Sequence, residues 1–258
     1  MLTRRLFLAA VLLPRSLFAA DDAAKAAAQG REFLVRLCHP DLHLLPEFEG
    51  AKVIWLYHDN WLAAKMLKSS QPELAAKIAA AISARGVTKS GKIEMIFGEA
   101  PLPFHRYELR EVAREREFVI KTEVTTPALT TEWEEYADLL LIAAVAEKDK
   151  AAARRHFDAA MKLWDGKGFA DAGKRRHGNY ATYKLGLALH AARHLALNPP
   201  ELDSMRRILL SLQHKNGGWI TDYLPDGMPH GLANVETTCL AILGLVGLPA
   251  ENAKERNG

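Results

Sequence analysis

Eight segments of the chain have the apolar spacing of helices, and they alternate between two kinds. Four are amphipathic, with apolar residues on one face and charges on the other, at residues 22–37, 72–84, 150–163 and 201–212. Four are apolar almost throughout, at residues 60–67, 134–146, 180–195 and 235–245. An amphipathic helix borders core and water, whereas an apolar one is buried on most sides. The order therefore predicts four helix pairs with the apolar helices inside.

The second pair is interrupted by an insertion at about residues 88–130 with a different pattern. Residues 92–97 and 117–125 are predicted strands, and in the latter Phe118, Ile120, Thr122 and Val124 alternate with mostly charged or polar residues. The pattern predicts a small antiparallel sheet. This sheet is either a lid over one end of the helices or a peripheral decoration.

The last two units are the most alike. Gly168 and Gly218 each follow an amphipathic segment and precede an aromatic residue and a polar loop with an aspartate. The segment from Gln213 to Trp219 fits the pattern Q-x-x-x-G-x-W and is followed by an apolar helix. This combination resembles the repeat of squalene cyclases and protein prenyltransferases.

The resemblance implies an all-α fold, an α/α toroid of about four helix hairpins over residues 21–258 that carries the β insertion. The ring is either closed or an incomplete arc. In those families the Gln and Trp of the motif tie a helix end to the next loop, which is the role implied for Gln213 and Trp219. The aspartate-rich D-x-D-D motif of the cyclases is absent, and no D-x-C precedes Cys239. The resemblance therefore implies a fold without the activity.

Residues 1–20 are predicted to be a signal peptide. Arg4 and Arg5 form a basic start, residues 6–13 are an apolar run, and Ala20 offers a small residue for cleavage. The paired arginines resemble a twin-arginine export signal. The run is too short to cross a bilayer, so we expect export to the periplasm or the medium without stable membrane insertion.

Charge argues against nucleic acid as a partner. The chain has 34 basic and 31 acidic residues, and residues 1–20 contain three arginines and no acid. After cleavage 31 basic and 31 acidic residues remain, so the mature chain is neutral. Electrostatic attraction to nucleic acid or anionic lipid is therefore not expected.

Candidate site residues gather where the apolar helices begin, because the loops of such helix pairs meet at one mouth. The predicted catalytic residues are the carboxyl groups and the tyrosine near those helix starts: Asp59, Glu135, Glu236 and Tyr183. The predicted ligand-binding residues are the aromatic and polar residues of the loops: Trp55, Tyr57, His58, Asn60, Trp61, Asp171, Tyr180, Trp219, Asp222 and Asn234.

Several alternatives remain open at the level of sequence. Carboxylates at helix starts also serve as caps. Asp138 and Lys184 interrupt successive apolar helices and form either an ion pair or, if the lysine faces a cavity, a reactive amine. Cys38 and Cys239 form a disulfide or stay free. The isolated histidines lack metal-ligand spacing, so neither a metal nor a cofactor is expected.

We therefore expect an exported protein that binds a small molecule or glycan. Acid–base chemistry of the glycosidase, lyase or cyclase type is one interpretation. The alternative is a non-catalytic module that binds a ligand or a protein. A homodimer is compatible with an incomplete ring.

Overall fold

A computed structural model describes residues 16–248, with side chains from residue 21 onward. Most of the predicted signal peptide, residues 1–20, lies outside the described residues. The helices are α1 (Ser16–Leu37), α2 (Leu62–Leu67), α3 (Pro72–Ser83), α4 (Ala137–Ala146), α5 (Lys150–Met161), α6 (Ala172–His177), α7 (Tyr183–His194), α8 (Glu201–Ser211) and α9 (Val235–Val246). In this range no helix is long and apolar enough to cross a membrane.

The predicted all-α toroid is wrong, because the protein is mixed α/β with 49% helix and 19% strand. The strands are β1 (Val53–Trp55), β2 (His105–Glu115), β3 (Phe118–Leu129), β4 (Tyr180–Ala181), β5 (Trp219–Tyr223) and β6 (Pro229–Asn234). They form two three-stranded sheets, ordered β1-β3-β2 and β4-β5-β6. Segments that sequence analysis assigned to loops between helices satisfy their backbone groups by pairing, which is the physical reason for the difference.

The insertion contributes two of the strands. The strand predicted at residues 117–125 is confirmed as part of β3, which pairs antiparallel with β2 and parallel with β1. The strand predicted at residues 92–97 is wrong, since Ile93–Phe97 is a 3-10 turn. Glu94 causes it: the carboxylate accepts hydrogen bonds from the backbone N–H groups of Ser90 and Gly91 and draws the chain into a turn.

The eight predicted helical segments are confirmed as α1–α5 and α7–α9. The apolar helices pack in a row, α4 against α7, α7 against α9 and α9 against α2. The amphipathic helices cover them: α5 packs on α4, α8 on α7, α1 on α9 and α3 on α2. In α8, Leu202, Met205 and Leu209 form the buried face at helical spacing.

Glycines allow the central helices α7 and α9 to touch. A Cβ added at Gly186 would lie 2.3 Å from the carbonyl oxygen of Leu240, and one at Gly244 would lie 2.5 Å from the carbonyl oxygen of Gly186. No side chain fits at either position without separating the helices. The close contact packs the first turn of α7 against the middle of α9.

The two cysteines are both free thiols in the structure. Cys239 is fully buried in α9, and burial raises the pKa of its thiol well above the usual value. Cys38 is half-buried after α1, and burial raises the pKa of its thiol to about 11. A raised pKa lowers the thiolate fraction, so both thiols are unreactive at neutral pH.

Candidate functional site

The first turns of three core helices bring charged side chains together. Asp138, Lys184 and Glu236 are each the second residue of their helix, in α4, α7 and α9. Two further segments contribute to the same place: the π-helical turn Leu56–Trp61 and strand β3. We call the resulting group the acid cluster, and its members are Asp59, Glu123, Asp138, Asp171 and Glu236 with His58, Tyr183 and Lys184.

Lys184 is held between two carboxylates. It contacts Asp171 directly, and its Nζ lies 3.2 Å from Asp138 Oδ1. Burial opposes the charge on Lys184, but the carboxylates of Asp138 and Asp171 outweigh this effect and raise its pKa. The predicted interhelical ion pair with Asp138 is confirmed. A reactive neutral amine is not supported, because that role requires a lowered pKa.

Tyr183 remains a neutral phenol in this site. Its hydroxyl donates a hydrogen bond to Asp138 Oδ2 over 3.0 Å. Burial, followed by the charges of Asp138 and Glu236, raises the pKa of Tyr183 well above its ordinary value. The hydroxyl therefore acts as a hydrogen-bond donor at neutral pH.

His58 is the positive group on the other side of Glu236. Its Nδ1 lies 3.6 Å from Glu123 Oε1, and its ring centre lies 4.8 Å from that of Trp55. Burial opposes protonation of His58, but the interaction with Glu123 and the charges of Asp59 and Glu236 outweigh it and raise the pKa to about 9. The imidazole is therefore positively charged at neutral pH.

Asp59 and Glu236 are carboxyl groups whose pKa values are raised above the ordinary ones. Burial raises the pKa of Asp59 well above its ordinary value, although the charge of His58 acts in the opposite direction. Burial also raises the pKa of Glu236, and the charges of Glu123 and Asp138 add to this effect. The two side chains differ in access, since Asp59 is 0% exposed and Glu236 is partly exposed.

Asp59 lies in an unusual backbone segment. The π-helical turn Leu56–Trp61 leads into α2, and such turns are often found at functional sites. The backbone N–H of Glu236 lowers the pKa of Asp59, but neither carboxyl oxygen makes a hydrogen bond of normal geometry. A buried carboxyl group without a partner is costly to stability.

Several other oxygens in the cluster also lack partners. In the described part of the chain, the buried side-chain oxygens without a hydrogen bond are Asp59 Oδ1 and Oδ2, Glu123 Oε2, Asp138 Oδ1 and Thr182 Oγ1. Lys184 approaches Asp138 Oδ1 without a well-directed hydrogen bond. All of these atoms belong to the cluster or adjoin it, as Thr182 does beside Tyr183. Native proteins contain few such groups, and their concentration here makes this cluster the candidate functional site.

We predict that Asp59→Asn stabilises the protein at neutral pH. The raised pKa means that ionising Asp59 costs the folded state free energy that an unfolded chain does not pay. This cost is absent below the ordinary pKa of 3.8 and grows as pH rises toward the folded-state pKa. Thermal melts from pH 3.5 to 8 should show a higher Tm for the variant near pH 7 and convergence at the acid end.

The exposed Asp22→Asn variant is the control for this experiment, because it removes one carboxylate without a buried environment. His58, Glu236 and Glu47 also act on the charge of Asp59, so the full pH range is needed. A lower Tm for Asp59→Asn than for wild type at pH 7 would contradict the prediction.

One face of the first sheet leads to the cluster. Trp55 is beside Lys121 in the β1–β3 pairing, and Leu109 is opposite Glu123 in the β2–β3 pairing. Residues that are directly opposite share a face, as do alternate residues of one strand. Tyr107 and Leu109 are therefore on this face, and they are 42% and 57% exposed. This sheet face, with Trp55, Tyr107 and Leu109, offers a partly aromatic surface next to Glu123.

The structure brings three of the four predicted catalytic residues together. Asp59, Glu236 and Tyr183 belong to the acid cluster, with Asp59 behind the accessible surface. Glu135 is not among them. It is exposed in a 3-10 turn before α4 and forms a surface ion pair of 2.8 Å with Arg175.

The predicted ligand-binding residues divide in the same way. Trp55 and His58 lie at the cluster. Asp171 is in it but acts as a cap, since it accepts hydrogen bonds from the backbone N–H groups of Lys174 and Ala137. Asn234 caps α9 by accepting from Thr237 N–H.

The remaining predicted residues have structural contacts. Asn60 is fully buried and bonds both backbone groups of Leu45. Trp219 is also fully buried, and its Nε1 donates to the carbonyl of Leu209 at the end of α8 over 2.7 Å. The others also make contacts within the fold: Tyr57 stacks on Trp61, Tyr180 donates to Asp165, and Asp222 lies in β5 opposite His230.

Sequence analysis missed Glu123 as a site residue. The alternation in residues 117–125 placed it on the polar face of an insertion strand, which is usually exposed. The structure instead buries Glu123 itself beside His58, so it becomes part of the cluster. The available signal was a lone acid among the β-branched residues of segment 122–126.

No known protein family, curated protein or solved structure matches this chain. The resemblance to squalene cyclases and protein prenyltransferases therefore stays a prediction. Over the described residues, no group of three or more His, Cys, Asp or Glu side chains is arranged to hold a metal ion.

Proposed function

We propose that the protein is an acid–base enzyme that cleaves a bond in a neutral glycan or similar small polyol at the acid cluster. The observation that supports this most is the contrast between two neighbouring carboxyl groups. Glu236 has a raised pKa and is partly exposed, whereas Asp138 is paired with Lys184 and accepts from Tyr183. Carboxyl groups in such different environments serve as acid and base at the same pH.

Each residue has a distinct role in this proposal. Protonated Glu236 donates its proton to the leaving oxygen, and the Asp138 carboxylate accepts a proton from the attacking water. The Tyr183 hydroxyl donates a hydrogen bond to Asp138 and orients it. Asp59 is a positioning residue, because it is fully buried and acts through Glu236 and His58. Lys184 holds Asp138 in place.

The charge balance favours a neutral substrate. The carboxylates of Glu123, Asp138 and Asp171 are balanced by His58, Lys184 and Lys92, the last of which acts on both Glu123 and Glu236. An anionic ligand gains no net attraction there and meets unpaired carboxylate oxygens. A polyol supplies hydroxyl donors, and Trp55 and Tyr107 on the sheet face suit the apolar side of a sugar ring.

A ligand screen with the full chain tests the proposal. A ligand that binds only the folded state stabilises it by about 2.7 kcal/mol at one hundred times its Kd. We expect neutral oligosaccharides to raise the Tm, and oligosaccharides rich in carboxylates or isoprenoid alcohols to leave it unchanged. A protecting oligosaccharide should then yield new reducing ends on incubation. Protection by the acidic sugars or the isoprenoids alone would contradict the proposal.

The alternative is a module that binds the glycan without cleaving it. The aromatic and apolar sheet face favours it, because Trp55, Tyr107 and Leu109 could hold a sugar independently of the acids. The two functions predict different results for the same ligand. Binding with no product after prolonged incubation at several pH values would favour the module.

A further inference from the structure

Strand β2 leaves one edge of the first sheet unpaired. The sheet order β1-β3-β2 places β2 at the edge, with β3 on its inner side. Residues 106–111 of β2 are all exposed, and Leu109 is 57% exposed. No strand in the described part of the chain pairs with this outer edge. The pairing of β2 with β3 has register shifts at residues 105–107 and 111–113 and is regular between them. An exposed strand edge with apolar side chains is a template for another strand.

The sequence of this edge is complementary to itself. Two copies of β2 related by a two-fold axis perpendicular to the sheet are antiparallel. The axis passes beside one residue of β2, and that residue is then opposite its own copy in the other chain. With the axis at Leu109, Glu108 of each copy is opposite Arg110 of the other, and the two Leu109 side chains meet on the opposite face. An axis one residue away would place Glu108 or Arg110 opposite its own copy. Opposite charges and apolar pairs across strands stabilise a sheet, and like charges destabilise it.

We propose that a second copy of this chain pairs with β2 along residues 106–111, antiparallel and centred on Leu109. The contact is isologous, as in most homodimers. It joins two three-stranded sheets into one sheet of six strands and covers the exposed β2 edge of each copy. It also extends the sheet face, because Tyr107 and Leu109 of both copies share the face that carries Glu123. This proposal is independent of the proposed function.

The other sheet does not offer an equivalent edge. Strand β6 is the outer strand of the β4-β5-β6 sheet, but Pro229 at its start has no N–H to donate, and Gly231 has a positive φ of 95°. Residues 229–234 contain no acid and no lysine or arginine. Charge complementarity therefore favours β2 as the contact between copies.

Charge reversal tests the register directly. By sedimentation equilibrium at about 1 to 100 μM, the full chain should form a dimer. Glu108→Arg and Arg110→Glu should each weaken it at least about tenfold, because each turns two attractive pairs into two repulsive ones. The double variant, with both changes, should restore the dimer. Glu49→Arg, an exposed acid outside the strand, is the matched control and should leave the dimer unchanged.

Hydrogen exchange locates the contact independently. Raising the protein concentration should increase amide protection in residues 106–111 alone. A wild-type chain that stays monomeric at 100 μM would overturn the proposal. Unchanged dimer Kd values in both single variants would also overturn it. The same holds for a double variant that stays monomeric although its Tm is normal, and for amide protection confined to another segment.

Discussion

Replacing Lys184 with methionine is expected to lower the free energy of unfolding by about 3–5 kcal/mol, the usual cost of removing one partner of a buried ion pair. Methionine fills a similar volume without the charge. Asp171, which is 1% exposed, and Asp138 would then share a buried site with no lysine between them. In a chain of this size the loss corresponds to a fall in Tm of roughly 10 °C. Urea unfolding and thermal melts measure it.

Lys52→Met is the matched control. Lys52 forms an ion pair with Glu117 over 2.8 Å, but the two side chains are 58% and 59% exposed. Exposed pairs contribute about 0–1 kcal/mol, so this variant should unfold close to wild type. A loss for Lys184→Met no larger than that of Lys52→Met would show that the buried pairs do not stabilise the fold.

The pH dependence separates charge from packing. The carboxylates of Asp138 and Asp171 raise the pKa of Lys184 above its ordinary value of 10.5, so the stability that its charge contributes is present at neutral pH and is lost as pH rises through the raised pKa. The stability difference between Lys184→Met and wild type should therefore shrink as pH rises from about 8 to beyond 10.5. A difference that stays constant over this range would indicate lost packing alone.

The helices were predictable from sequence because their burial repeats with the helix period. α8 shows this on one face, through Leu202, Met205 and Leu209, whereas α9 is apolar almost throughout and was recognisable as a helix by the length of its apolar run. The strands β4, β5 and β6 were not predictable in the same way. They are short, and residues 229–234 have no alternation of apolar and polar positions. Their pairing depends on the helix ends that bring them together, which local patterns do not contain.

The site was predictable where it depended on helix starts. Asp59, Tyr183 and Glu236 precede or begin apolar helices, and those helices pack in a row, so their first turns meet. Glu135 precedes α4 by the same rule, yet it points to solvent, and Asp138 three residues later takes its place. A shift of this size lies within the error of a helix boundary. The place of Glu123 in the acid cluster depends on how the insertion packs against the helices, and sequence spacing does not determine that packing.

Glu236→Gln is expected to reduce turnover of a glycan substrate by about 10²–10⁴-fold while leaving its binding within a few-fold of wild type. The amide keeps the shape and a hydrogen-bond donor but cannot release a proton to the leaving oxygen. Single-turnover rates and the ligand-induced rise in Tm measure the two effects separately. Glu135→Gln is the matched control, because it removes an exposed glutamate whose partner is the surface residue Arg175.

The pH profile gives the same role an independent test. A general acid must be protonated to act, so wild-type turnover should fall as pH rises through the pKa of Glu236. Burial, with the charges of Glu123 and Asp138, raises that pKa above the ordinary glutamate value. The fall should therefore occur above pH 4.5, and the residual rate of Glu236→Gln should lack it. Full turnover in Glu236→Gln, or an unchanged alkaline limb in that variant, would remove Glu236 from the mechanism.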